Sequence, residues 1–160
     1  MSRFQLAQVN VARARALLDD SLLADFVANL DRINALAEAA SGFVWRLKDE
    51  SGNATGIAVS DDPRVIVNLS VWRSAEELFD FVYKTGHNRI MAQRREWFER
   101  WDGPHMALWW VPAGHLPSVA EALERLARLA ERGPTIETFT FKTRFPAPDS
   151  ALAAETIAAD

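Results

Sequence analysis

The chain has 160 residues, a formal net charge of -4, six tryptophans and no cysteine. Its length suits one domain, and it lacks the basic surplus that a nucleic-acid binder needs. Without cysteine, disulfides, thiolate catalysis and cysteine-ligated metal are excluded. No stretch approaches the about 18 uninterrupted apolar residues of a membrane span, and no signal-peptide pattern opens the chain. A cytoplasmic protein with no membrane and no nucleic-acid partner is the expectation.

In chain order, Phe4 to Val11 reads as a first strand in which Gln8 and Asn10 share a face. Ser21 can cap a helix whose apolar face is Leu23, Phe26, Val27, Leu30, Ile33, Leu36 and Ala37, stopped by Ser41-Gly42. Phe43 to Lys48 is a second strand, with Phe43, Trp45 and Leu47 predicted on one face. Asp49 to Gly56 is a polar loop, and Ile57 to Val59 a short strand piece. Arg64 to Trp72 is the third strand. Its alternation puts Val65, Val67, Leu69 and Val71 on one face and Ile66, Asn68, Ser70 and Trp72 on the other. The second face is semi-polar and suits a cavity or a dimer seam.

Ser74, with Glu77 three residues on, forms a capping-box pattern, and Ser74 to Trp101 is predicted as one helix of about seven turns. On it Phe79, Tyr83, His87, Ile90, Arg94, Trp97 and Trp101 fall on one stripe, aromatic at both ends and polar in the middle. Asp102-Gly103-Pro104 ends it. His105 to Val111 is the fourth strand, with Trp109 and Trp110 on opposite faces. Ser118 and Glu121 open a third helix with Val119, Ala122, Leu123, Leu126, Leu129 and Ala130 inward; Gly133-Pro134 closes it. Thr135 to Thr143 reads as a last strand. Residues 1–147 are expected to form the domain and 148–160 a flexible tail.

The order gives the β-α-β-β-α-β pattern of a ferredoxin-like α+β fold, with an added helix and strand. Helices on one side of such a sheet leave the semi-polar face bare. Pairing two sheets in a homodimer would bury it and enclose a cavity, giving a dimeric α/β barrel.

The candidate chemistry centres on the long helix. His87 suits proton transfer at neutral pH, and Arg94 can fork onto a carboxylate or oxyanion. Tyr83 can donate a hydrogen bond, and Asn68 is an amide in mid-strand. The structural alternative makes His87 a satisfied core histidine and pairs Arg94 with a carboxylate such as Glu99 or Asp80. Trp72, Trp97 and Trp109 are candidate substrate-stacking residues. No phosphate loop, dinucleotide glycine pattern or paired-histidine zinc motif is present. No metal site is expected, although His87 alone could serve haem as an axial ligand.

Several blocks together resemble a known family: Gly42-Phe43-Val44-Trp45-Arg46-Leu47, Val67-Asn68-Leu69-Ser70-Val71-Trp72 and Phe81-Val82-Tyr83 with His87. Arg94-Arg95-Glu96-Trp97-Phe98, Leu108-Trp109-Trp110-Val111-Pro112 and Gly133-Pro134-Thr135 extend the match. The chain resembles the domain-of-unknown-function 3291 (DUF3291) family, placed in the dimeric α/β-barrel superfamily related to antibiotic-biosynthesis monooxygenases. That resemblance implies a cavity between sheet and helices, and a cofactor-independent monooxygenase-like enzyme acting on a small aromatic or enolisable substrate. His87 or Asn68 would stabilise the deprotonated substrate. The alternatives are a haem-binding protein with His87 as ligand and a non-catalytic dimer that binds a small apolar or aromatic molecule.

Overall fold

The computed structural model describes residues 2–84 and 92–150. Within them run β1 (Phe4–Arg13), a 3-10 turn (Ser21–Leu23) leading into α1 (Ala24–Ala39), β2 (Phe43–Arg46) and β3 (Val65–Trp72). They are followed by α2 (Ala75–Lys84), the single turn α3 (Arg94–Trp97), β4 (Met106–Pro112) and α4 (Val119–Arg132). The sheet order is β2-β3-β1-β4 with every pair antiparallel, which is the ferredoxin-like arrangement. Among the described residues no helix is long and apolar enough to cross a membrane.

Local chemistry explains the helix ends. The Asp20 carboxylate accepts from Leu22 N and starts the 3-10 turn, one residue ahead of the expected Ser21 cap. Ser74 Oγ accepts from Glu77 N at 3.2 Å, and Ser118 Oγ accepts from Glu121 N at 3.1 Å, as the box patterns predict. Each such cap is worth about 1 kcal/mol. Gly133, at φ 72°, closes α4 in a conformation open to glycine.

The two faces of the sheet are covered differently. Val9, Leu69, Val71 and Trp109 pack with Ala122, Leu126 and Leu129 of α4. Leu6, Trp72 and Leu108 pack with Ala37 of α1 and with Leu78 and Phe81 of α2. The semi-polar face expected to lie bare is therefore the one beneath the two ferredoxin helices. The expected barrel does not form: the four-stranded sheet is open, with β2 and β4 at its edges. The added helix is present, but the added strand is not. Residues 135–143 make only one bridge to β4, Leu108 with Phe139. Turns on either side wind the segment up, because Thr135 Oγ1 accepts from Glu137 N and Thr140 Oγ1 from Thr143 N. Ile57 to Val59 forms no strand either.

The long helix is also corrected. Phe98 is extended, and its neighbours pair with the end of β1: Arg15 N donates to Trp97 O and Glu99 N to Arg13 O. This tertiary pairing wins over helical continuation and lets Phe26 meet both Trp97 and Phe98, at ring separations of 5.6 and 5.0 Å. The stripe splits accordingly: Trp101 lies beneath the Arg13 guanidinium, and Trp97 is buried with Phe26 and Leu23. In β2 an irregularity between Phe43 and Trp45 turns Phe43 to the Trp72 side and Trp45 to the Val71 side, so the two do not share a face. The start of the expected tail is tied down as far as Ser150, since Asp149 accepts from Ser2 Oγ and Arg3 N.

Candidate functional site

The site begins with strand register. Gln8 of β1 lies opposite Ser70 of β3, and Asn10 lies opposite Asn68, so four polar side chains gather on the face beneath α1 and α2. Gln8 Nε2 donates to Asn68 Oδ1 at 2.5 Å and to Ser70 Oγ at 2.8 Å, and Trp72 Nε1 donates to Ser70 Oγ at 2.9 Å. These bonds engage Gln8 Nε2, Ser70 Oγ and Trp72 Nε1, all on buried residues. They also hold Asn68 by its oxygen, so its Nδ2 is left without a protein acceptor among the described residues. Asn68 is solvent-accessible although it stands in the middle of an inner strand.

Above this polar floor is a cavity of about 400 Å³, within the range of small-molecule sites. Its apolar walls come from Phe26, Leu30 and Ile33 of α1 and from Leu78, Phe81 and Val82 of α2. One side is closed by Asn53 to Thr55. That loop is fixed to α1 by Asn34 Nδ2 donating to Asn53 Oδ1 at 2.6 Å. It is fixed internally by the Asp49 carboxylate, which accepts from Ser51 and from Gly56 N. The Ser51 hydroxyl and amide hold that carboxyl below the usual range.

Charge in the cavity runs against charge in the chain. Aspartates and glutamates outnumber lysines and arginines overall, 22 to 18. The described residues that line the cavity include Arg46, Arg94 and His105 but no carboxylate. Arg46 is neutralised from behind by Glu38, Nε to Oε1 2.9 Å. No carboxylate among the described residues does the same for Arg94: Glu99 pairs with Arg13 and Arg64, and Asp80 pairs with Lys84. The carboxylates expected as its partners are thus occupied elsewhere. The Arg94 guanidinium lies over the Phe98 ring at 5.9 Å, and burial pushes its pKa down. Burial, followed by the Arg94 charge, holds His105 below the ordinary histidine value, so it is uncharged at neutral pH.

Of the expected site residues, Asn68, Trp72, Tyr83 and Arg94 all line this cavity. Trp97 is absent from the lining and belongs to the cluster around Phe26. Trp109 lies on the opposite face of the sheet, where its Nε1 donates to Glu121 Oε1 at 3.2 Å. Burial raises the Glu121 carboxyl, but hydrogen bonds from His115 and Trp109 outweigh it and leave the pKa lowered. His87 lies outside the described residues, and with it the reading of a single histidine ligand to haem. Among the described residues no group of three His, Asp or Glu side chains could hold a metal ion. Arg46 and His105 were not expected in the site. The Arg46 signal is its place opposite Ser70, which the β2 irregularity obscures. His105 directly precedes β4 and contributes through its place beside Arg94.

Comparison with known families agrees with the DUF3291 resemblance. The family described as "Domain of unknown function (DUF3291)" matches residues 5–155. No curated protein matches the sequence. Among solved structures, PA3566 from Pseudomonas aeruginosa is similar at 14% identity and a TM-score of 0.47, covering 72% of this chain and 98% of that one. Rv0793 from Mycobacterium tuberculosis is similar at 19% identity and a TM-score of 0.47, covering 71% and 99%. SnoaB, a cofactor-independent oxygenase from Streptomyces nogalater, is similar at 16% identity and a TM-score of 0.44, covering 70% and 95%.

Proposed function

We propose that this chain, which belongs to the DUF3291 family, is a cofactor-independent monooxygenase-like enzyme acting on a small aromatic or enolisable compound. The observation that carries this reading is Asn68. Its oxygen is engaged by Gln8, and its amide hydrogens face an apolar-walled cavity from the centre of the sheet. An N–H fixed in that way is preorganised for an oxygen that gains negative charge, and it needs no reorganisation when the charge appears.

In this reading the substrate lies between the α1–α2 walls and the strand floor, with Trp72 and Phe81 at its ring. Loss of a proton from an activated CH2 gives an enolate, whose oxygen sits against Asn68 and Arg94. The electron-rich carbon then reacts with dioxygen. The balance is CH2 plus O2 giving C=O plus H2O: one oxygen atom enters the product and the other leaves as water with both hydrogens. The substrate itself is the reductant.

The test is oxygen consumption by the purified protein with a panel of phenols and anthrones. Turnover is expected with at least one enolisable member, and Asn68→Ala should lower kcat by about 10²–10³, the usual cost of removing one such donor. An Asn68→Ala variant with unchanged kcat would remove Asn68 from the chemistry. A panel without turnover would remove the reaction.

A further inference from the structure

The uncompensated charge in the cavity says more about the ligand than the shape does. Arg94 is half-buried and, among the described residues, has no carboxylate partner and shares its cavity with no acidic side chain. Leaving a guanidinium partly desolvated and unpaired is costly unless a ligand supplies the countercharge. The nearby polar groups point the same way. Among the described residues the Asn68 Nδ2 has no acceptor and the Asn10 amide makes no side-chain bond. Arg46 is the other guanidinium among the described lining residues, but Glu38 has already neutralised it.

We infer that the cleft selects its ligand as a small organic monoanion, with a carboxylate, phenolate or enolate oxygen on an apolar or aromatic body, and that Arg94 is the residue that selects the charge. His105 is the second part of the device. It lines the same cavity and feels the Arg94 charge. A bound anion offsets Arg94, so His105 takes up a proton more readily in the complex than in the free protein. Among the described residues the other titratable or charged side chains on the lining are Arg46, paired with Glu38, and Tyr83. Affinity for an anion therefore rises as pH falls below neutrality, through His105. This inference deepens the proposed reaction by naming the charge class of its substrate, yet it concerns binding alone and does not require turnover.

The experiment is calorimetric titration with three probes of one shape: 2-naphthoate, 2-naphthamide and 2-naphthylmethylammonium. The wild-type protein should bind the naphthoate at least 10-fold more tightly than the amide, and the ammonium most weakly. Arg94→Gln should abolish the preference for naphthoate over the amide, and Arg94→Lys, which keeps the charge, should retain much of it. His105→Gln should keep the preference at pH 8 but lose the gain in naphthoate affinity on going to pH 6. Equal binding of naphthoate and amide by the wild-type protein, or no binding of naphthoate, overturns the inference. So does a preference that survives Arg94→Gln. A clear anion preference in a protein that consumes no oxygen with any substrate would uphold the binding inference and sink the oxygenase reading.

Discussion

Ser70→Ala tests whether the polar floor is structural at one end and functional at the other. The Ser70 oxygen accepts from Trp72 Nε1 at 2.9 Å and from Gln8 Nε2 at 2.8 Å. All three residues are buried, with Trp72 only 1% exposed. Removing the hydroxyl leaves the indole N–H with no acceptor, which costs about 1–3 kcal/mol. Gln8 keeps its bond to Asn68 and so loses one of two, worth about 0.5–1.5 kcal/mol. The expected destabilisation is about 2–3 kcal/mol, or a Tm lower by about 4–12 °C for a domain of this size. Urea melts followed by circular dichroism measure it. A double-mutant cycle with Trp72→Phe locates the cause. Phenylalanine has no N–H to strand, so the double variant should be more stable than the sum of the singles predicts, by about 1 kcal/mol or more. A loss below about 0.5 kcal/mol for Ser70→Ala, or strict additivity in the cycle, would refute the account of Ser70 as the shared acceptor.

Trp97→Ala should cost about 3–5 kcal/mol, because Trp97 is buried against Phe26; a denaturant melt showing less than about 1 kcal/mol would place this turn at the surface. Gly42→Ala should destabilise by about 1–3 kcal/mol. Gly42 has φ 85°, and an added Cβ would meet the Glu77 side chain, which Arg73 and Ser41 hold in place. A Gly42→Ala melt matching wild type would show that Glu77 is free to move away. Stability should also fall as pH drops through about 6.5, the ordinary histidine range, towards the lowered value of His105: the unfolded chain then binds a proton that the native state refuses. Melts from pH 8 to pH 5 on His105→Gln should show a shallower fall than wild type, and identical slopes would remove His105 from the effect.

Much of the fold is legible because local rules and tertiary structure agree there. The alternation of Val65 to Trp72, the Ser118–Glu121 cap and the Gly133 stop all form as patterned. The failures fall where a distant partner decides. Nothing near Phe98 in the sequence announces that the end of β1 will capture it and break the helix. The β2 irregularity, invisible to strict alternation, turns Arg46 inward to Ser70. The Thr-rich segment has strand composition, but the Thr135 and Thr140 hydroxyls bond to its own backbone. At the site, the polar half of β3 was readable as a cavity face. What a linear reading could not supply is that Glu38, Asp80 and Glu99 all turn to other cations, leaving Arg94 without a carboxylate partner among the described residues.

The two rims of the open sheet carry a further consequence. An antiparallel sheet with bare margins invites another chain to add a strand and begin aggregation. Here β2 is only four residues long and irregular, so it offers a poor template. On the other margin, Phe139 exchanges both backbone hydrogen bonds with Leu108 and is itself fully buried beside Leu6 and Phe145. The segment after α4 thus works as a plug: a single anchored residue occupies the middle of β4's outer margin. A Phe139→Ala protein should pass more readily into thioflavin-positive aggregates under mild heating, well before its helices unfold.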